Sequence, residues 1–287
     1  MSLKFTPTRA AIFAVLLFVV SVSLALCLAF CDGRGNENND DNNNDNKLPI
    51  GNDGSITTSA DFTYKTDISA VADALNTTDG YYLTLANKTY TIGEEYSPSD
   101  LVKVEGKYCK DPSRTYLLSG NAYFAAIALI EEMRANGFGD VSITSAYRSY
   151  DYQQTLYNKY FNEEKAAHPD WSDEQIKAQV LTYSAYPGTS EHQTGLCIDL
   201  MTNEMSGLWN YGSETPNNPY DKGFAETAEY QWLKENAHKF GFILRYPENK
   251  TDVTGYAYES WHYRFVGIDA ATDIYNAGIT LEEYLGK

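Results

Sequence analysis

Two short stretches carry side chains whose types and spacing can do chemistry. In YPGTSEHQTGLCIDL, residues 186–200, His192 precedes Asp199 by seven positions, with Gly195 between them. In YESWHYRFV, residues 258–266, Glu259 precedes His262 by three. Two histidines and one carboxylate are a common set of three zinc ligands that leaves the fourth position to water. A second carboxylate that is not a ligand can take a proton from that water. Asp199 and Glu259 supply both carboxylates. Spacing alone is weak evidence, because a lone histidine near a strand is more often a satisfied hydrogen-bonding residue. The other two of the four histidines, His168 in a polar loop and His238 on a charged helix, read as solvent-facing.

The elements that must position these groups are legible as alternation and helical spacing. Leu196, Ile198 and Leu200 alternate toward a core, so Asp199 takes the opposite face with Cys197 and Met201. Gly195 lets the chain bend before that strand and fold His192 back toward Asp199. His262 alternates with Arg264, while Trp261, Tyr263 and Phe265 take the other face. Residues 81–90 and 140–149 read as strands, the second with Val141 and Ile143 inward and Arg148 on the face of Ser142 and Thr144. Helices are expected over 119–137, with Ile127, Ile130 and Met133 on one side, and over 150–167, 226–241 and 268–286. Another over 172–186 opens on a Ser172–Gln175 capping box. No regular βαβ rhythm appears. The expectation is an α+β fold: a mostly antiparallel central sheet flanked by helices, with the site in a cleft on the sheet.

The chain has 287 residues and a formal net charge of −17, which argues against a nucleic-acid partner. Lys4 and Arg9 precede an almost unbroken apolar run, Ala10–Phe30, long enough for one membrane-spanning helix. Residues 1–31 therefore read as a membrane anchor or signal segment. Positive charge before the run and acidic sequence after it place the remainder outside the cytoplasm. Cleavage of a signal peptide and lipid modification at Cys27 or Cys31 are the alternatives, the latter weakened by the bulky Leu26 and Phe30. Residues 32–60, rich in Asn and Asp, read as a disordered tether. Residues 61–287 form the expected folded domain, a monomer. Cys109 and Cys197 are a disulfide or buried thiols, the second reading being favoured.

SEHQTGLCID resembles the S-x-H-x-x-G-x-x-x-D motif of the VanY-like D-alanyl-D-alanine carboxypeptidases, a branch of the M15 zinc peptidases that also holds peptidoglycan L,D-carboxypeptidases. ESWHYR resembles the family's E-x-W-H-x-R. SAYRSYDYQ and GFILRYP resemble two further blocks, and the likeness covers roughly residues 81–267. Cys197 departs from the family, which often has alanine there. The resemblance implies Zn2+ held by His192, Asp199 and His262, with Glu259 as catalytic base. It also implies Arg148 as the residue that binds and polarises substrate, with Gln153 and Ser190 as polar substrate contacts. The implied substrates are peptidoglycan stem peptides losing a C-terminal D-alanine, from a pentapeptide or a tetrapeptide. A non-catalytic wall-binding module with a structural zinc is the alternative, and the presence of Glu259 argues against it.

Overall fold

The alternation in GLCIDLM and WHYRF builds the sheet that carries both histidines. The computed structural model describes residues 57–58, 62–202 and 223–287. In chain order its strands are β1 (Thr57–Thr58), β2 (Phe62–Thr63), β3 (Leu101–Lys103), β4 (Leu117–Ser119), β5 (Val141–Ser145), β6 (Cys197–Thr202), β7 (Phe242–Leu244) and β8 (His262–Phe265). Its helices are α1 (Ala72–Leu75), α2 (Gly120–Ala135), α3 (Tyr150–Ala167), α4 (Asp173–Tyr183), α5 (Ala228–Asn236), α6 (Thr251–Thr254), α7 (Ile268–Ala277) and α8 (Leu281–Tyr284). The central sheet has the order β5-β6-β8-β7 and every neighbouring pair is antiparallel, as expected. The two-stranded pairs β1-β2 and β3-β4 lie outside it.

One face of the sheet is apolar. Ile143, Leu196, Ile198, Leu200, Tyr263 and Phe265 are fully buried there. Helix α2 covers this core with Ala122, Ala125, Ala126, Leu129, Ile130 and Met133, an i, i+3, i+4, i+7 stripe. Ile127 falls off that stripe and is only partly buried. Buried Glu132 on the same helix accepts from the backbone N–H groups of Lys65 and Thr66, which ties the incoming chain to the domain. Helix α4 starts on the predicted capping box, with both reciprocal Ser172–Gln175 bonds formed.

Two expectations need correction. Residues 81–90 do not form a strand: Gly80–Leu83 is a 3-10 turn capped by Asp79. The carbonyls of Tyr82 and Thr84 accept from Arg264 Nη2 at 3.0 and 2.7 Å, so a side chain takes the place of a partner strand. The segment 268–286 is two helices, not one. Gly278 takes a left-handed conformation (φ 63°) that ends α7, and Thr280 with Glu283 opens α8 through a second capping box.

Cys109 and Cys197 are both buried free thiols. The apolar run 10–30, Cys27, Cys31 and most of the Asn/Asp-rich stretch lie outside the described residues. Among the described residues no helix is long and apolar enough to cross a membrane.

Candidate metal and substrate site

Strand register makes the first contact of the site. Asp199 and His262 are direct cross-strand partners in β6 and β8, which puts their Cβ atoms about 5 Å apart. His262 Nδ1 meets Asp199 Oδ1 at 3.0 Å. His192 arrives from the 3-10 turn Glu191–Thr194, and Gly195 then sends the chain into β6. Gly195 is left-handed (φ 70°), and a Cβ there would press on Leu101, Pro98 and the Ser119 backbone. The turn brings His192 Nε2 to 3.3 Å from Asp199 Oδ2. The two imidazoles stand edge to face with ring centroids 5.0 Å apart.

A bulge in β5 supplies the rest. Its pairing with β6 slips between Ile143 and Ser145, and the chain leaves the sheet immediately afterwards. The Ala146 carbonyl then accepts from His192 Nδ1–H at 2.7 Å. That bond commits the proton to Nδ1 and leaves a lone pair on Nε2, which is buried and makes no hydrogen bond. Arg148 lies beyond the end of the strand, so it reaches the cleft from the loop and not from the strand face beside Ser142 and Thr144. Its Nη2 is 3.8 Å from Asp199 Oδ2.

These side chains open onto a cavity of about 610 Å³, walled by Arg148, Ser190, His192, Asp199, Glu259 and His262 together with tyrosines such as Tyr116, Tyr152, Tyr160, Tyr183, Tyr246 and Tyr256. The tyrosine richness of the chain is thus partly spent on a polar cleft. Glu259 ends the loop before β8, and its Oε2 is 3.7 Å from His262 Nδ1. Burial pushes its carboxyl up to about 7; His262 opposes that shift and Asp199 adds to it.

The donors fit a metal ion. Bonds of about 2.1 Å in a tetrahedron separate ligand atoms by roughly 3.4 Å. Asp199 Oδ1 is 3.0 Å from His262 Nδ1 and Oδ2 is 3.3 Å from His192 Nε2, so each imidazole faces its own oxygen of one carboxylate at close to that spacing. Among the described residues His192 Nε2 is buried without a hydrogen-bond partner, as a ligand atom would be. Cys197 is a rival third donor, since its thiol and both imidazoles offer atoms within 4.8 Å of one another. Asp199 forms part of the cavity wall and Cys197 does not. Asp199 is therefore the donor that faces incoming substrate.

The predicted site residues are not all placed alike. Ser190 is on the cavity wall. Gln153 is not: it is 1 % exposed, accepts from Arg148 Nη1 at 3.0 Å and donates to the Ala185 carbonyl at 2.8 Å. It braces Arg148 from behind, because helix α3 turns that face into the protein. His168 and His238 are half-buried, not solvent-facing, each stacked on an aromatic ring, Trp171 and Tyr275. Sequence reasoning passed over Glu191, Arg245 and Arg264, three fully buried charges beneath the site. The available signal was an acid directly beside a motif histidine.

The family model described as VanY, D-alanyl-D-alanine carboxypeptidase, matches residues 115–268, more than half of the chain. The chain belongs to this family. A relative, the D-alanyl-D-alanine carboxypeptidase of Enterococcus faecalis, is 41% identical over 157 residues. The match covers 55% of this chain and 51% of the relative, so the chain spans about half the length of that protein. Two solved structures are alike in fold. One is a variant of the vancomycin resistance D,D-pentapeptidase VanY in complex with Zn(II), 34% identical, TM-score 0.54, covering 71% of this chain and 99% of that one. The other is the LdcB LD-carboxypeptidase, 33% identical, TM-score 0.54, covering 72% and 86%.

Proposed function

We propose that this VanY-family chain is a zinc-dependent carboxypeptidase that removes the C-terminal D-alanine from peptidoglycan stem peptides ending in D-Ala-D-Ala. The observation that carries the reading is the convergence of His192, Asp199, His262, Glu259 and Arg148 on one cavity. His192 Nε2, His262 Nδ1 and the Asp199 carboxylate would hold the metal. When bound, the metal supplies a Lewis acid that brings a water's pKa to about 7. Glu259 would take a proton from a water in the cavity as the water's oxygen bonds to the carbonyl carbon of the last peptide bond. The C–N bond then breaks, and Glu259 returns the proton to the departing amine of D-alanine. Arg148, which donates to Gln153 through Nη1, offers its planar fork to the terminal carboxylate or to the carbonyl oxygen as it gains charge. Ser190 adds a polar contact from the cavity wall. A purely structural zinc module has no use for Glu259 turned toward the metal donors.

Zinc-loaded protein is expected to release free D-alanine from a synthetic pentapeptide ending in D-Ala-D-Ala, followed by mass spectrometry. Amidation of the terminal carboxylate should slow release at least ~10-fold, the low end of a lost charge-assisted contact. Release from the tetrapeptide alone would change the reading to L,D-specificity. Cleavage of neither peptide would overturn it.

We further propose an extracytoplasmic position, tethered through residues 1–31 and the linker 32–60. The charge asymmetry around Ala10–Phe30 supports it. The full chain should sediment with membranes and a chain starting at Asp61 should not; equal solubility of both removes the anchor.

A further inference from the structure

Glu191 is next to His192 in sequence, yet its carboxylate faces the other histidine. Its Oε1 accepts from Arg245 Nε at 2.7 Å and from Arg264 Nη1 at 2.8 Å. Its Oε2 lies 3.5 Å from His262 Nε2. Neither of these two facing atoms makes a hydrogen bond, and both residues are buried. The opposite ring nitrogen, Nδ1, faces Asp199 at 3.0 Å and Glu259 at 3.7 Å. A metal on Nδ1 obliges the ring to keep its proton on Nε2, and the one carboxylate oxygen within reach there is Glu191 Oε2 among the described residues.

The chain of contacts does not stop at Glu191. Arg245 turns its other two nitrogens to Glu282 of helix α8, Nη1 to Oε2 at 2.8 Å and Nη2 to Oε1 at 2.6 Å. Asn87 Nδ2 donates to the same Glu282 oxygen at 2.9 Å. Arg264 is fixed independently through the Tyr82 and Thr84 carbonyls. Two arginines and two carboxylates balance in charge, so Glu282 leaves Glu191 an oxygen that no arginine claims. Without Glu282, Glu191 would be the carboxylate left to Arg245 among the described residues.

We propose that Glu191 is a positioning residue of the metal centre, accepting the Nε2 proton of His262, and that Glu282 near the C-terminus sets it through Arg245. The proposal rests on the zinc carboxypeptidase reading. Helix α8 then belongs functionally to the site although it touches neither metal nor substrate.

The test compares wild type with Glu191→Gln and Glu282→Gln. Zinc affinity is measured by competition with a chelating dye, and ring protonation by nitrogen-15 NMR of histidine. Zinc-loaded wild type should show His262 protonated at Nε2, with slow exchange to solvent. Glu191→Gln should weaken zinc binding ~10–100-fold and shift that signal. Glu282→Gln should do the same to a smaller degree, with the metal-free melting temperature recorded as the control for a structural role. Wild-type zinc affinity in a folded Glu191→Gln protein would overturn the proposal alone. If that variant does not fold, the wild-type spectrum decides: an unprotonated Nε2 in the zinc form overturns it. Wild type that binds no zinc would overturn the functional reading as well.

Discussion

Glu259→Ala should fold, retain zinc and lose at least ~100-fold in turnover, with 10⁴-fold as the upper end for a missing general base. The expectation rests on position. The Glu259 side chain is 21% exposed, its Oε2 is 3.7 Å from His262 Nδ1, and it stands on the cavity wall beside the three proposed metal donors without being needed among them. Its carboxyl is pushed up to about 7, chiefly by burial. A divalent cation beside it favours the carboxylate and lowers that value. A base must be deprotonated to act, so turnover should rise with pH through an acid limb centred below 7. The alanine variant should lose that limb along with the rate, since no carboxylate is left to titrate there. Near-normal turnover by a zinc-loaded Glu259→Ala protein removes Glu259 from the reaction. An acid limb that survives the substitution assigns it to another group.

His192→Ala should cost zinc itself. Structural zinc sites hold the ion with about 10–16 kcal/mol shared by four ligands, so one ligand accounts for roughly 3 kcal/mol, or on the order of 100-fold in affinity. Turnover at limiting zinc should fall in proportion. A stability readout checks the same claim without substrate. Zinc at about 100 times its dissociation constant should stabilise the native state by about 2.7 kcal/mol, which for a domain of this size raises the melting temperature by roughly 5–10 °C. Chelation should reverse the rise in wild type, and His192→Ala should show little of it. A variant that binds and responds to zinc like wild type would exclude His192 as a ligand and would bring Cys197 forward as the third donor, because its thiol is the other atom within reach of His262.

Much of the site was visible in the order of residues because strands make local rules. The period of two in Leu196–Leu200 predicts the core face, and Leu196, Ile198 and Leu200 lie in the core while Asp199 lines the cavity; the other face is no less buried, and Met201, expected beside Asp199, joins the core. Gly195 marked a left-handed turn that a Cβ would strain and crowd. Helices α3 and α4 followed from their spacing and, for α4, from the capping box. Where local rules failed, a distant side chain had taken over. The carbonyls at 82 and 84 looked strand-like, but the guanidinium of Arg264, some 180 positions away, accounts for them. Gln153 resembled a substrate contact, yet the packing of α3 turns it against Arg148.

From the order of residues alone came the chemistry on offer: two histidines and two carboxylates in motifs able to hold a metal and move a proton, on strands of an antiparallel sheet. Only the folded chain decided which atoms meet. Strand register set Asp199 against His262, the β5 bulge aimed the Ala146 carbonyl at His192, and burial left Glu191 shared between two arginines and an imidazole. The reason is physical: side-chain types and spacing are properties of neighbours along the chain. Ligand geometry, tautomer and carboxylate pairing depend on contacts between segments tens of residues apart, which exist only once the core has closed.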